Sequence, residues 1–403
     1  MVKRNVWMAA MLVVASAFSP ASAAEDAGTR AQRVIDKGLA YLQAQQQPDG
    51  GWQKSDKEPL AITAIALRTF VQDAKFNSKT DFVARGFAKL LANQTADGGI
   101  YKDLMASYNT AIAVSTISAA ADPSMKPQLD KAVDYLKRLQ WTEDTRPEFA
   151  DDKEANTGRQ VVKDNSDPFY GGWGYGGRSR GAGRPDLSNT QLAIEALKDS
   201  GLPADDPTMV RAIAFVTRCQ NNSETNVTSA WAGDDGGFIY GPSADRSGES
   251  FAGKTTDASG HTRLKSMGTM TYAGLKSFIY AGVKKDDPRV KAAWRWANEN
   301  FTLDVHPGMA EQGAEQGRWG LFYYYMTLGK ALHAYGEPTI KSGAATPSDW
   351  RVALVDKALE LQQPDGSWIG VNKYMENNPV LVTSYVLLAL QEAQKDLKER
   401  PAR

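Results

Sequence analysis

Apolar and polar positions along this chain fall into a repeating two-part pattern. In the segments Ala31 to Leu42, Phe82 to Leu91, Ala132 to Trp141, Val210 to Gln220, Val290 to Phe301 and Trp350 to Leu361, apolar residues recur at helical spacing and charges take the other side. Arg33, Asp36 and Lys37 form one such charged face, and Lys131, Asp134, Lys137 and Arg138 another. The alternate segments begin near Leu60, Tyr108, Ser188, Gly268, Tyr323 and Val380 and carry few charges; Leu381 to Leu390 carries none. A one-sided helix lies at a surface, and a helix apolar nearly all round is buried. The alternation predicts two concentric layers, charged helices outside and apolar helices inside. Open solenoids need polar capping repeats, whereas the first and last inner segments here are as apolar as the middle ones. The expected fold is therefore all-α, a closed (α/α)6 toroid or barrel of six helix-hairpin repeats.

Between the members of each pair lies a glycine-rich turn. Gln47-Pro48-Asp49-Gly50-Gly51-Trp52 returns as Gln363-Pro364-Asp365-Gly366-Ser367-Trp368. Looser copies end at Tyr101, Trp173, Tyr240 and Trp319. Asp and Gly stop a helix, and Gly supplies the positive φ of a sharp reversal. The four acids Asp49, Asp97, Asp235 and Asp365 recur in one structural slot, so turn-making explains them better than calcium or acid–base work. The aromatic is expected to lie on the neighbouring hairpin with its polar edge wet, and the preceding Gln to bond the next helix, tying unit to unit.

Charge and composition narrow the functional classes. Residues 1–23 read as a secretory signal peptide, with Lys3 and Arg4, an apolar run from Val6 to Phe18, and Ala21-Ser22-Ala23 as cleavage site. The mature chain, residues 24–403, is read as one toroid domain, exported to a periplasm or beyond. Loss of Lys3 and Arg4 leaves 45 basic against 47 acidic side chains, no footprint for nucleic acid. No second apolar run is long enough to span a bilayer, so no transmembrane anchor is expected after cleavage. The single Cys219 cannot form an internal disulfide.

A Gln-rich helix end, then Asp-Gly-Gly-Trp, then Thr or Asn-Thr opening an Ala-Leu-rich helix resembles the QW-type repeats of squalene and hopene cyclases. It is similar more broadly to the α/α toroid superfamily of terpenoid cyclases, protein prenyltransferase β subunits and complement-type thioester domains. The resemblance covers about residues 31 to 394 and implies the toroid fold and an isoprenoid or lipid ligand. It does not carry the chemistry over. Where a protonating cyclase has Asp-x-Asp-Asp-Thr, this chain reads Asp186-Leu187-Ser188-Asn189-Thr190, and a hydroxyl cannot protonate an alkene. The prenyltransferase zinc set of Asp, Cys and His is not assembled, and Gly313-Ala314-Glu315-Gln316-Gly317 lacks a thioester Cys. No metal site and no cofactor are expected.

The candidate cavity-lining residues are Tyr108, Ser188, Asn189, Tyr272, Trp319, Tyr323, Tyr324 and His333. Aromatic walls suit an isoprenoid or a developing cation, but Tyr and Trp equally fill a tapered core, and His333 suits a structural role better than a ligand's. Asp186, Arg178 and His261 are rim candidates; His306, before Pro307, reads as a turn residue. Inserts 142–168, 243–267 and 303–316 all join an outer to an inner helix, so they should gather on one rim, where repeat folds build binding faces. The favoured expectation is an isoprenoid or other lipid in a central cavity, with catalysis open. The alternatives are a non-catalytic envelope module that binds a protein or polymer through its rim loops, and a terpene cyclase with a relocated acid.

Overall fold

The computed structural model describes residues 25–143, 162, 164–176, 183–243, 245–256, 258–343 and 346–400. The segment 1–23 read as a signal peptide, Arg178 and much of the insert 142–168 lie outside them.

Among the described residues twelve α-helices appear in the expected order. The outer set is α1 (Ala27–Ala44), α3 (Asp81–Leu91), α5 (Lys126–Arg138), α7 (Pro207–Arg218), α9 (Pro288–Asn300) and α11 (Trp350–Leu361). The inner set is α2 (Ala61–Val71), α4 (Ala106–Ala120), α6 (Leu187–Asp199), α8 (Gly268–Tyr280), α10 (Leu321–Tyr335) and α12 (Pro379–Glu399). Inner helices pack in the cycle α2, α4, α6, α8, α10, α12 and back to α2, which closes the ring. Burial follows the sequence pattern. α1 buries Val34, Ile35, Leu39 and Leu42 at helical spacing, whereas every residue from Ala61 to Phe70 of α2 is buried. Outer helices start at acidic N-caps: Asp26, Asp206, Asp287 and Asp349 each accept a backbone N–H from the first turn. Pro207 and Pro288 stand at the first helical position, where no N–H is missed.

Five of the six turns share one hydrogen-bond scheme. Gln46, Gln94, Gln140, Gln220 and Gln362 each donate twice through Nε2, at 2.7–3.1 Å. One bond goes to a carbonyl of its own turn and the other to a carbonyl of the next outer helix, in its first turn for all but Gln362. Gln362 reaches Val34 of α1 and so joins the last unit to the first. The turn glycine Gly50 has φ +88°, and a Cβ there would stand 2.6 Å from the Arg85 carbonyl oxygen of the next outer helix. Close approach and left-handed backbone thus coincide in one residue. The backbone N–H that follows (Trp52, Ile100, Trp173, Phe238, Trp368) donates to Thr63, Thr110, Thr190, Thr271 or Thr383 on the inner helix, at 2.9–3.1 Å. This is why Thr recurs at the head of each inner segment. Asp49, Asp235 and Asp365 accept the N–H two residues on, as turn-makers do.

Two expectations are corrected. The indoles of Trp52, Trp173 and Trp368 are not wet at one edge. They are fully buried, and each Nε1–H donates to a carbonyl of its own outer helix at 2.6–2.8 Å. Unit five lacks the shared turn: Trp319 is only half-buried, and the joint is made by His306. That residue opens a turn, as read from the sequence, with its carbonyl accepting the Met309 N–H, and it is only 2% exposed. Its Nδ1–H donates to the Trp319 carbonyl at 2.8 Å, and Nε2 accepts the Thr269 N–H at 3.0 Å at the head of α8. Burial lowers its pKa to about 4, so it stays neutral.

Candidate functional site at the long-loop rim

The inner helices begin at the rim that carries the long connections, and residues of the following unit satisfy their free N–H groups. Asn109 Oδ1 accepts Ala61 N–H at 2.7 Å, the Tyr175 carbonyl accepts Ser107 N–H, and the Tyr240 carbonyl accepts Leu187 N–H. Glu376 Oε1 accepts both Phe322 and Tyr323 N–H at 2.9 Å. Asn378 caps α12 and donates to Glu58 of unit one at 2.9 Å. Orphan donors at a helix start attract anions, and this places two carboxyls, Asp186 and Glu376, inside the rim. Burial raises each to about 7. Asp186 caps α6, holding Asn189 through N–H and Nδ2 at 2.8 Å each. Near neutrality these are carboxyls poised to hold or release a proton.

On the axis the side chains meet. Tyr108, Tyr323 and Tyr385 converge beneath the rim; the Tyr323 hydroxyl lies 3.1 Å from Ser188 Oγ and accepts from Gln191 Nε2 at 2.9 Å. Deeper down, Arg68, Lys276 and Lys330 surround Glu195. Arg68 also holds Asp199 at 3.0 Å. Burial opposes ionisation of Glu195, but Lys276, Lys330 and Arg68 hold its pKa well below the usual carboxylate range. Burial also depresses Lys330, to about 8. The axial space between these groups is about 20 Å³, enough for one water. A pocket for a drug-sized ligand needs roughly 300 Å³ or more. Among the described residues the axis therefore has no room of that size for the expected lipid: tyrosines and a buried ion cluster fill it.

Only part of the cavity-lining set reaches the axis. Tyr108 and Tyr323 line it, and Ser188 bonds Tyr323. Asn189 turns to Asp186 instead. Tyr272 and Tyr324 pack together between α8 and α10, 5.7 Å apart, and the Tyr324 hydroxyl donates to the Thr302 carbonyl. His333 sits at the opposite end, between α10 and α12, with Nδ1 3.2 Å from Asp396 and Nε2 3.7 Å from Glu392. It lines nothing. These corrections share a cause: on an inner helix only every third or fourth residue faces the axis, and the others face the two neighbours or the outer layer. Among the described residues no group of three His, Cys, Asp or Glu could hold a metal. None of the described helices is long and apolar enough to cross a membrane.

At the end opposite the long connections, Arg68, Gln72, Ser118, Lys198 and Asp199 border an open recess of about 330 Å³; the larger groove and the exposed aromatic surface lie on the rim. The inserts touch one another there: Arg246 donates to the Ser166 carbonyl, Lys265 pairs with Glu311 at 2.6 Å, and Gln312 donates to the Ala252 carbonyl. A groove of about 450 Å³ runs between the connection before α10, the end of α11 and the 363–371 loop, with Phe322, Arg318 and Ile369 among its walls. Beside it an aromatic row crosses three units. Tyr240 lies 4.7 Å from Phe251, Phe251 lies 6.3 Å from Tyr374, and Lys373 Nζ lies 5.3 Å from the Tyr374 ring and 4.6 Å from that of Trp319. Trp319 is thus a rim residue. His261 is exposed, in the turn of the hairpin formed by β1 (Lys254–Thr256) and β2 (Thr262–Leu264). Phe251, Tyr374 and the ionic core were not singled out from sequence. The core's only signal was a charge within each of four mostly apolar segments: Arg68, Glu195, Lys276 and Lys330.

No protein-family model and no curated protein matches the chain. Solved structures do. A protein from Actinoplanes is 17% identical with TM-score 0.51, over 90% of this chain and 99% of that one. A type II terpene cyclase from Scytonema, in complex with its substrate geranylgeranyl dihydroxybenzoate, is 12% identical with TM-score 0.51, over 92% and 99%. An unsaturated glucuronyl hydrolase specific for heparin is 11% identical with TM-score 0.55, over 92% and 98%. Structures of such different activities share the α/α toroid fold with this chain, and at these identities they establish that fold alone.

Proposed function

We propose that the chain is an exported binding module that engages a polymer or protein through its long-loop rim, while its axis serves as structural core. The observation that carries this reading is where the room lies: about 20 Å³ on the axis against about 450 Å³ in the rim groove. The aromatic row beside that groove supports it, because exposed apolar patches on connecting loops mark interaction sites. The isoprenoid reading and the relocated-acid cyclase both need an axial volume for substrate. Asp186, although protonated near neutrality, has none beneath it. Solvent extraction of the purified mature protein, followed by mass spectrometry, tests the reading. No lipid near one equivalent is expected; an isoprenoid or lipid recovered at one per chain would overturn it.

A further inference from the structure

Phe251 and Tyr374 are 37% and 48% exposed, although their rings lie side by side at the joint of two distant connections. Tyr374 is held there against its own backbone preference. It has φ +53° and Met375 φ +63°, a left-handed region that costs a bulky residue on the order of 1–3 kcal/mol. The loop is pinned in that form: Glu376 N–H bonds the Lys373 carbonyl, Asn378 N–H the Met375 carbonyl, and Gly370 N–H the Glu376 carbonyl. The surrounding structure thus sustains strain that keeps a tyrosine ring out in solvent. The same loop delivers Glu376 to the start of α10 and Asn378 to the start of α12, but neither bond requires an exposed aromatic ring at position 374.

The polar groups along the row are few. The Glu249 carboxylate is exposed, makes no hydrogen bond or ion pair with the described residues, and stands close enough to help raise the Tyr374 hydroxyl, behind the larger effect of burial. The Lys373 ammonium lies over the rings of Trp319 and Tyr374. One acceptor and one engaged cation give no net charge to steer a polyanion. An open row has no enclosing walls for an acyl chain.

Resting on the rim reading above, we propose that the row Tyr240–Phe251–Tyr374–Trp319 is a stacking surface for an uncharged polysaccharide. A pyranose presents one apolar face of C–H groups and an edge of hydroxyls. The C–H faces lie on Phe251 and Tyr374, and hydroxyls donate to the Glu249 carboxylate. Flat rings in sequence with a lone acceptor suit a ligand that is apolar on its faces and a donor at its edges.

Affinity electrophoresis of the mature chain tests this, with gels containing β-glucan, galactomannan, dextran or soluble starch. Retardation by at least one is expected. Phe251→Ala and Tyr374→Asn should weaken it at least tenfold and Glu249→Gln several-fold, while Val210→Ser on the outer helix α7 leaves it unchanged. Asn tolerates left-handed backbone, so Tyr374→Asn removes the ring without destabilising the loop, and its thermal midpoint should not fall. No retardation in any gel, or retardation indifferent to both ring variants, overturns the proposal. A photo-crosslinker placed at position 251 then separates the two failures. Crosslinking to one discrete envelope protein, competed by unlabelled chain, defeats the polysaccharide while leaving the rim reading standing. Neither saccharide nor protein captured would defeat both.

Discussion

Asp186 illustrates how one side chain serves two ends. As N-cap it accepts the Asn189 N–H, a role Asp, Asn and Ser all fill. As a buried acid it is displaced from its ordinary 3.8 to about 7. The folded chain therefore holds a proton that the unfolded chain releases between about pH 4 and 7. Stability from this residue is complete below pH 4 and falls as pH rises to 7, by up to about 1.4 kcal/mol per unit. Asp186→Asn keeps the cap and removes the titration. Urea denaturation across this range should show wild type losing stability relative to the variant, with a constant difference above pH 7. His306 and Glu376 titrate in both proteins and cancel. A difference that does not vary with pH would remove the argument for a buried neutral acid. The cap was legible at this scale, because Asp before a helical run is a local signal. The pKa was not, because it depends on what covers Asp186 from other units, Tyr240 among them.

Helices and turns were the most legible scale. Five turns carry Gln, a left-handed Gly and an inner-helix Thr, and each has one job that recurs. The glutamine donates once to a carbonyl of its own turn and once to a second lone pair of a carbonyl on the next outer helix. Gln362 has the further consequence of closing the ring on α1. Gln362→Ala should cost about 1–3 kcal/mol and, more tellingly, speed amide exchange in α1 around Val34, far from it in sequence. Unchanged exchange there, measured by mass spectrometry, would mean that packing of α1 on α12 closes the ring unaided. Unit five escaped the pattern because a buried histidine replaces the turn chemistry. Its sequence, a His before Pro, carries no mark of burial.

At the scale of the whole molecule, the decisive fact is that twelve helices close on an ionic centre instead of a cavity. Glu195 offsets three cations from three other helices. Arg68 would keep Asp199, but Lys276 and Lys330 would lose their carboxylate partner, so Glu195→Gln should cost about 3–5 kcal/mol by chemical denaturation. Replacing Glu195, Lys276 and Lys330 together by methionine should recover much of that, since well-packed apolar groups match a buried ion cluster. A single variant as stable as wild type would mean that the centre is wetter than its burial indicates.

By itself the sequence determined the helix count, the two layers, the turns and the closed ring. Each follows from short-range periodicity or from a motif whose partners lie within one unit or the next. Tertiary structure alone decided what fills the axis and where the exposed surface lies. Arg68, Glu195, Lys276 and Lys330 stand on four different helices and become one cluster only when the ring closes. Phe251, Tyr374 and Trp319 come from three connections with no shared spacing. Closure sends the inner faces of six helices to one axis, and their volumes leave it full.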